Sequence, residues 1–244
     1  MGDAGPPPLI DPARDALFLD FDGTLVELAA RPDAIDVPDL LIDRLHRLAE
    51  RLDNRLAIVS GRDIATLDSF GVGKLALAGS HGAQWRLADG SQGTTTAPAG
   101  LDDARAQFRQ FAASHEGVIF EDKPLGTALH YRLAPEQQDA CQSLAACLSH
   151  QWGFHIQHGH AMVELRQGGI DKGTAIRQLL EKSPFAGSRP IFAGDDVTDE
   201  AGFDAVEWAG GHGVLVGASR PSAARYRLPS VHQVNEWLSA TLNR

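Results

Sequence analysis

The sequence contains few cysteines and no long apolar segment. Cys141 and Cys147 are the only two cysteines among 244 residues. They match no zinc-binding spacing, and in a predicted helix they lie on different faces and cannot easily form a disulfide. We therefore expect free thiols in a cytoplasmic protein. No apolar run approaches the roughly 18 residues that a membrane span needs, and the first residues lack the basic and apolar regions of a secretory signal.

Basic charge is also scarce. Lys and Arg number 22 against 32 Asp and Glu, which gives a formal net charge of −10. Without a dense cluster of basic residues, the chain lacks the electrostatic signature of a nucleic-acid-binding protein. The glycine-rich fingerprints of dinucleotide and P-loop sites are absent too. An acidic protein can still bind phosphate through local cations, backbone amides or a metal ion.

Short apolar runs that alternate with amphipathic helices predict a doubly wound α/β domain with a parallel sheet. In its first part, we expect strands at 16–19, 56–59 and 75–78 and helices at 38–53 and 63–70. The same alternation resumes with a helix from Asp171, strands at 190–193 and 214–216, and helices near 198–208 and 231–242.

The pattern between these two parts differs and predicts an inserted α+β domain with an antiparallel sheet. We expect helices at 101–115 and 135–150 and strands at 117–121, 127–133, 153–157 and 161–166. Segments rich in small residues predict hinges at 88–100 and 167–169. The predicted organisation is a flexible tail at 1–14, a core domain at 15–87 and 169–244, and the inserted domain at 101–167.

The segment Asp20-Phe21-Asp22-Gly23-Thr24 begins where the first predicted strand ends. Ligands bind beyond the carboxyl ends of strands in open α/β sheets. One carboxylate of such a pair can attack phosphorus and form an aspartyl-phosphate, while the other transfers a proton and activates water. A calcium loop is the alternative, but it would need Glu at its twelfth position, where Arg31 stands.

Three further motifs follow predicted strands or open predicted helices: Ser60-Gly61-Arg62, Asp171-Lys172-Gly173 and Gly194-Asp195-Asp196-Val197-Thr198-Asp199-Glu200. A serine hydroxyl and helix-start amides can hold phosphoryl oxygens, although an ordinary helix cap is the alternative. A lysine at a helix N-terminus opposes the helix dipole, which suggests a task such as neutralising phosphate. Crowded acids at a strand end favour a bound cation, and Mg²⁺ suits carboxylates together with phosphate oxygen.

Together and in this order, the four motifs resemble the haloacid dehalogenase superfamily of phosphatases. The resemblance implies that Asp20 is the nucleophile, that Asp22 is the general acid/base, and that Ser60 and Lys172 hold the phosphoryl group. It implies a Mg²⁺ ion bound by Asp20 and the backbone carbonyl of Asp22, with Asp195 completing the shell and Asp196 and Asp199 beside it. It also implies that the insertion is a type C2 cap domain.

Segments of the insertion resemble trehalose-6-phosphate phosphatases more narrowly: Glu121-Asp122-Lys123, His130-Tyr131-Arg132 and Glu164-Leu165-Arg166. Ser80-His81-Gly82-Ala83 resembles another segment of that family, in which Glu commonly stands where this chain has Ser80. From the residues alone, an exposed hairpin with cross-strand ion pairs is the alternative. The resemblance implies these substrate-binding residues: Thr24, Gly61, Arg62, His81, Glu121, Lys123, His130, Arg132 and Glu164.

The sequence thus predicts a Mg²⁺-dependent phosphoric monoester hydrolase of trehalose biosynthesis. It would convert trehalose 6-phosphate to trehalose and phosphate through an aspartyl-phosphate, with the phosphate on the core and the glucose units under the cap. Alternatives are a phosphatase for sucrose phosphate or mannosylglycerate phosphate, a phosphomannomutase-like phosphotransferase, and a catalytically silent sugar-phosphate sensor. We expect a monomer with no nucleic-acid or membrane partner.

Overall fold

The computed structural model describes residues 5–28, 35–159 and 161–243. The chain forms two compact units, a core domain of Met1–Thr94 with Asp171–Arg244 and an insert of Thr95–Ile170. Across the described ranges, no helix has the length and apolar character that crossing a membrane requires.

The strands in chain order are β1 Asp15–Leu19, β2 Leu56–Val59, β3 Ala76–Gly79, β4 Gln84–Arg86, β5 Gln92–Thr94, β6 Ile119–Lys123, β7 Gly126–His130, β8 His155–Gly159, β9 Met162–Arg166, β10 Arg189–Gly194, β11 His212–Val216 and β12 Tyr226–Leu228. The α-helices are α1 Asp39–Arg51, α2 Ile64–Ser69, α3 Leu101–Ser114, α4 Gln138–Trp152, α5 Lys172–Leu180, α6 Glu200–Trp208 and α7 Val231–Leu242.

The core domain is built on an eight-stranded sheet in the order β12-β11-β10-β1-β2-β3-β4-β5. The strands from β12 to β3 pair in parallel, and β4 and β5 extend that sheet antiparallel. After β1, the chain adds β2 and β3 on one side of β1 in the sheet. The later strand β10 pairs with the other side of β1. The crevice between β1 and β10 is therefore the topological switch point, where open α/β sheets bind ligands.

Side-chain alternation along β1 explains the layering of the core domain. Leu17 and Leu19 pack into the apolar cluster that includes α1 and α7, whereas Ala16 and Phe18 pack into the cluster that includes α5 and α6. A strand covered by helices on both faces must be apolar at consecutive positions, as this one is. The predicted doubly wound α/β core is confirmed.

Two segments of the core domain differ from the prediction. The expected hinge at 88–100 contains β5, and β4 precedes it; both strands have only three residues, and none of these residues is buried. Residues 5–14, which belong to the expected flexible tail, pack against the domain. Ile10 is buried, and the carbonyl of Pro8 accepts a 2.9 Å hydrogen bond from Trp237 Nε1. Proline content predicted the absence of regular structure there, but it carried no information about burial.

The insert contains a four-stranded antiparallel sheet in the order β6-β7-β9-β8. Leu129, Val163 and Leu165 on one face of this sheet share an apolar cluster with α3 and α4. The insert therefore has its own hydrophobic core, and its boundaries at Thr95 and Ile170 lie outside the predicted 101–167.

A buried histidine at the start of β11 makes the core domain sensitive to acid. His212 is 5 % exposed, and its Nε2 atom has no hydrogen-bond partner within the described ranges. Burial lowers the pKa of His212; Asp15 opposes this effect, and Arg189 and Arg225 add to it. The unfolded chain therefore binds more protons at this position, and stability is lost as the pH falls through the ordinary histidine value.

We expect the His212→Gln variant to lose less thermal stability than the wild type when the pH falls from about 7.5 to about 5.5, because its residue 212 does not titrate. Melting temperatures at the two pH values measure this. The matched control is His232→Gln, whose histidine side chain is 80 % exposed. Equal losses in the wild type and the His212→Gln variant would contradict the prediction.

Candidate active site

A buried lysine joins two aspartates at the carboxyl edge of the core sheet. Lys172 Nζ donates to Asp20 Oδ1 and to Asp199 Oδ1, each at 2.6 Å. None of the three residues is more than 4 % exposed. Asp171 caps α5 and forms a capping box with Thr174, which fixes Lys172 at the first position of the helix. The lysine that opposes its helix dipole is thus stabilised by two carboxylates.

Burial and charge shift the pKa values of this group strongly. Burial raises the pKa of Asp20 well above its usual value; Lys172 opposes this rise, and Asp199 and Asp195 add to it. Burial alone would lower the pKa of Lys172, but the Asp199 and Asp20 carboxylates raise it above its usual value. Burial and Asp199 raise the pKa of Asp195 to about 6. The ionised carboxylates repel one another, so added positive charge would stabilise them.

Three carboxylates in this region could hold a cation. Asp20, Asp195 and Asp199 offer oxygen atoms that all lie within 4.8 Å of one another. Asp199 already has hydrogen-bond partners within the protein, because its Oδ2 accepts the backbone amides of Asp195 and Asp196 at 2.9 Å each. Asp196 lies outside this group, since its exposed carboxylate accepts the Val197 amide at 2.7 Å. An all-oxygen donor set fits a hard divalent cation such as Mg²⁺.

The turn after β1 brings this strand end against residues 195–199, the acidic loop between β10 and α6. Gly23 has φ +82°, and a Cβ atom there would lie 2.2 Å from Asp195 Oδ2. Only glycine fits this position without displacing the carboxylate. The buried Thr24, a predicted substrate-binding residue, instead donates its hydroxyl to Asp195 Oδ1 at 3.3 Å.

The second carboxylate of the first motif is held by an arginine. Arg62 Nε and Nη2 donate to Asp22 Oδ2 and Oδ1 at 2.7 and 2.8 Å, which is a bidentate pair. The backbone amide of Arg62 also donates to the buried Ser60 Oγ at 3.1 Å. The sequence predicted that Arg62 binds substrate, and the structure adds that it orients Asp22.

The end of β3 brings a strained histidine to the same edge. Ser80 and His81 have φ values of 50° and 59°, which non-glycine residues rarely adopt. The His81 amide donates to the Ser60 carbonyl at 2.9 Å. A Cβ at Gly61 would lie 2.8 Å from the His81 ring, so Gly61 makes room for the imidazole. Strain of this kind is concentrated at functional sites.

Sequence reasoning missed Arg220, in the loop after β11. Its guanidinium donates to the carbonyls of Asp196 at 2.8 Å and Asp195 at 3.4 Å, and it pairs with Glu200. Glu200 Oε2 in turn accepts the Ala223 amide at 2.8 Å. This network braces the acidic loop. No local pattern marks Arg220, whose only signal is its place in a loop that follows a parallel strand.

A second polar group lies on the insert sheet, on the face away from α3 and α4. Lys123 Nζ lies 2.6 Å from Glu164 Oε2 and 3.8 Å from Glu121 Oε2, and His130 Nε2 lies 2.7 Å from Glu121 Oε2. Burial would lower the pKa of Lys123, but Glu164 and Glu121 raise it. Four predicted substrate-binding residues are thus brought together within the insert.

Arg132 does not lie on this sheet. The strand predicted at 127–133 ends at His130, and Arg132 is exposed in the turn that follows. The turn forms because the Ala134 amide bonds to the Tyr131 carbonyl at 3.1 Å.

Removal of the buried cation should destabilise the core domain in a pH-dependent way. We expect Lys172→Met to lower the free energy of unfolding by about 3 kcal/mol near pH 7.5, because two buried carboxylates lose their counter-charge. Near pH 5.5 the loss should be smaller, since the raised pKa values of Asp20 and Asp195 favour their protonated forms as the pH falls. Urea unfolding in metal-free buffer at both pH values measures the difference.

Lys74→Met, at an exposed position of the same domain, is the matched control and should change stability little. An equal or larger loss for Lys172→Met at the lower pH would show that Lys172 does not act by compensating the carboxylates.

The chain is similar to known proteins over most of its length. The family model for trehalose-phosphatase matches residues 18–232. A trehalose-6-phosphate phosphatase of Escherichia coli (strain K12) is 38% identical over 229 residues, which cover 93% of this chain and 86% of that protein.

Solved structures agree with this similarity. A trehalose-6-phosphate phosphatase related protein superposes with a TM-score of 0.81 at 25% identity, over 93% of this chain and 97% of that chain. A phosphatase of the haloalkanoate (HAD) enzyme superfamily from Bacteroides thetaiotaomicron shares the fold, with a TM-score of 0.65 at 17% identity over 93% of each chain. With its sequence matched from the first strand to the last helix, this chain belongs to the trehalose-phosphatase family.

Proposed function

We propose that this chain is a phosphatase that hydrolyses trehalose 6-phosphate to trehalose and phosphate with the help of Mg²⁺. The observation that carries the proposal is the buried pair of Asp20 and Lys172, with 2.6 Å between their charged atoms, at the switch point of the sheet. A carboxylate held beside a fixed cation suits attack on an anionic phosphate. Family membership supplies the substrate class.

In the proposed first step, Asp20 attacks phosphorus and forms an acyl-phosphate bond. The bond between phosphorus and the sugar oxygen breaks, and that oxygen takes a proton from the carboxyl group of Asp22. In the second step, Asp22 removes a proton from water, whose oxygen attacks the same phosphorus. The bond to Asp20 breaks, phosphate leaves, and both aspartates return to their starting states.

The residues around this pair have supporting roles in the proposal. Lys172 compensates the charge of Asp20 and of the transferring phosphoryl group. Ser60 and its neighbouring amides hold phosphoryl oxygens. Arg62 orients Asp22 through two hydrogen bonds, and an arriving phosphate dianion competes for the same guanidinium. His81, held next to Ser60, would contact the substrate.

The carboxylates of Asp20 and Asp195, with the backbone carbonyl of Asp22, would hold the Mg²⁺ ion. When bound, the ion would neutralise the carboxylates and the substrate's phosphate charge. One or two carboxylates are the usual protein ligands of Mg²⁺. Asp199 would serve as a positioning residue, because its two oxygens already bind Lys172 and two backbone amides.

We assign sugar recognition to the polar group of the insert, which comprises Glu121, Lys123, His130 and Glu164. Carboxylates accept hydroxyl protons, and ammonium and imidazole groups donate to hydroxyl oxygens, so the set can bind a polyol in several directions. The same chemistry would also suit other sugar phosphates.

Phosphate release tests the proposed function. We expect Mg²⁺-dependent turnover of trehalose 6-phosphate that exceeds turnover of glucose 6-phosphate, sucrose 6-phosphate and mannosylglycerate phosphate. Asp20→Asn should reduce it by about four orders of magnitude or more, because the amide is not a nucleophile. Preference for another sugar would overturn the substrate assignment, and undiminished activity of Asp20→Asn would overturn the mechanism.

The hydrogen bonds of Arg220 to the backbone of the acidic loop should support Mg²⁺ binding. We expect Arg220→Met to weaken Mg²⁺ binding about tenfold, because partners that orient metal ligands typically contribute that much. Isothermal titration calorimetry with Mg²⁺ alone measures the affinity directly. Arg47→Met, on the exposed face of α1, is the control. Unchanged affinity in Arg220→Met would show that the loop holds its shape without the brace.

A further inference from the structure

The strand register of the insert sheet aligns four residues in one row. Glu121 pairs with Ala128, Ala128 with Glu164, and Glu164 with Gln157. The row therefore runs from β6 through β7 and β9 to β8. Because side chains alternate along a strand and Ile156 packs toward the helices, Gln157 shares the face that carries Glu121 and Glu164.

Gln157 is the polar member of this row that the sequence did not single out. Its Oε1 atom is buried and has no hydrogen-bond partner within the described ranges. A carbonyl oxygen in that state is costly to the folded protein. The facing Glu164, when ionised, can only accept hydrogen bonds, and it already accepts one from Lys123 at 2.6 Å. The site thus presents an acceptor that lacks a donor.

We propose that Gln157 is a specificity-determining residue, whose Oε1 accepts a hydrogen bond from a hydroxyl group of the sugar substrate. The inference rests on the proposed function and extends its sugar-binding group to a fourth strand, β8. A substrate with a hydroxyl at this point satisfies the buried oxygen. A phosphate ester without that hydroxyl leaves it unsatisfied and is disfavoured, which is how polar sites discriminate between substrates.

The geometry around Gln157 favours a hydroxyl donor from a ligand over a purely structural role. Gly126 and Ala128 share this face of β7 with His130, and the 2.6 Å ion pair of Lys123 with Glu164 crosses β7 from β6 to β9. A structural glutamine would be expected to have both ends of its amide paired inside the protein. The carbonyl end of Gln157 instead has no hydrogen-bond partner in the part of the chain that the structure describes.

Gln157→Met tests the inference, because methionine keeps the length of the side chain and removes the strong acceptor. We expect the ratio of kcat/KM for trehalose 6-phosphate to kcat/KM for p-nitrophenyl phosphate to fall about tenfold, mainly through KM, which corresponds to one lost hydrogen bond. Melting temperature should not fall, since removal of an unsatisfied buried oxygen costs no stability. Gln151→Met, at an exposed position of α4, is the control and should leave the ratio unchanged.

Direct binding provides a second measurement. In the Asp20→Asn background, we expect Gln157→Met to weaken the Kd for trehalose 6-phosphate about tenfold in calorimetry. A ratio and a Kd within twofold of the parent proteins would overturn the inference, as would losses that are equal for both substrates and accompanied by a lower melting temperature. Failure of the proposed function is distinct: the wild-type enzyme itself would then not turn over trehalose 6-phosphate, and both proposals would fall.

Discussion

The buried ion pairs of Lys172 are the interaction on which the candidate site depends. Lys172 lies between Asp20 and Asp199, and Asp199 in turn binds the amides at the start of the acidic loop. One ammonium group therefore links the end of β1, the start of α5 and the loop after β10. Breaking such a pair leaves uncompensated charge on side chains that are almost fully buried, so this geometry has few alternatives.

The same constraint explains how an acidic chain can bind an anion. Cations beside the site are already paired, Arg62 with Asp22 and Arg220 with Glu200. Neither is a free positive patch that would attract polyanions from a distance. A phosphate has to exchange partners with these carboxylates, or share their cations, once it has arrived. Under the proposed function, this arrangement would let a small dianion exchange partners at the site although the formal net charge of the chain is −10.

Sequence reasoning succeeded where a charged residue stands directly after a predicted strand or at the start of a predicted helix. Asp20 and Lys172 follow a strand or open a helix, so the topology alone brings them to one edge, and the doubly wound core was predicted from apolar runs buried on both faces. It failed for β4, β5 and Arg220. The two strands have only three residues each and none of them is buried, and Arg220 acts on backbone carbonyls more than twenty residues away, a contact that no local pattern encodes.

Gln157 illustrates why the proposed sugar contacts are harder to predict than the proposed catalytic residues. The proposed catalytic residues belong to motifs of fixed spacing, whereas the row on the insert sheet is assembled by register from four strands. Shifting one strand by one residue would turn its side chain to the helix face. The insert also has its own hydrophobic core, separate from the clusters that support Lys172. The proposed sugar recognition and the proposed phosphate chemistry therefore rest on separate hydrophobic cores within one chain.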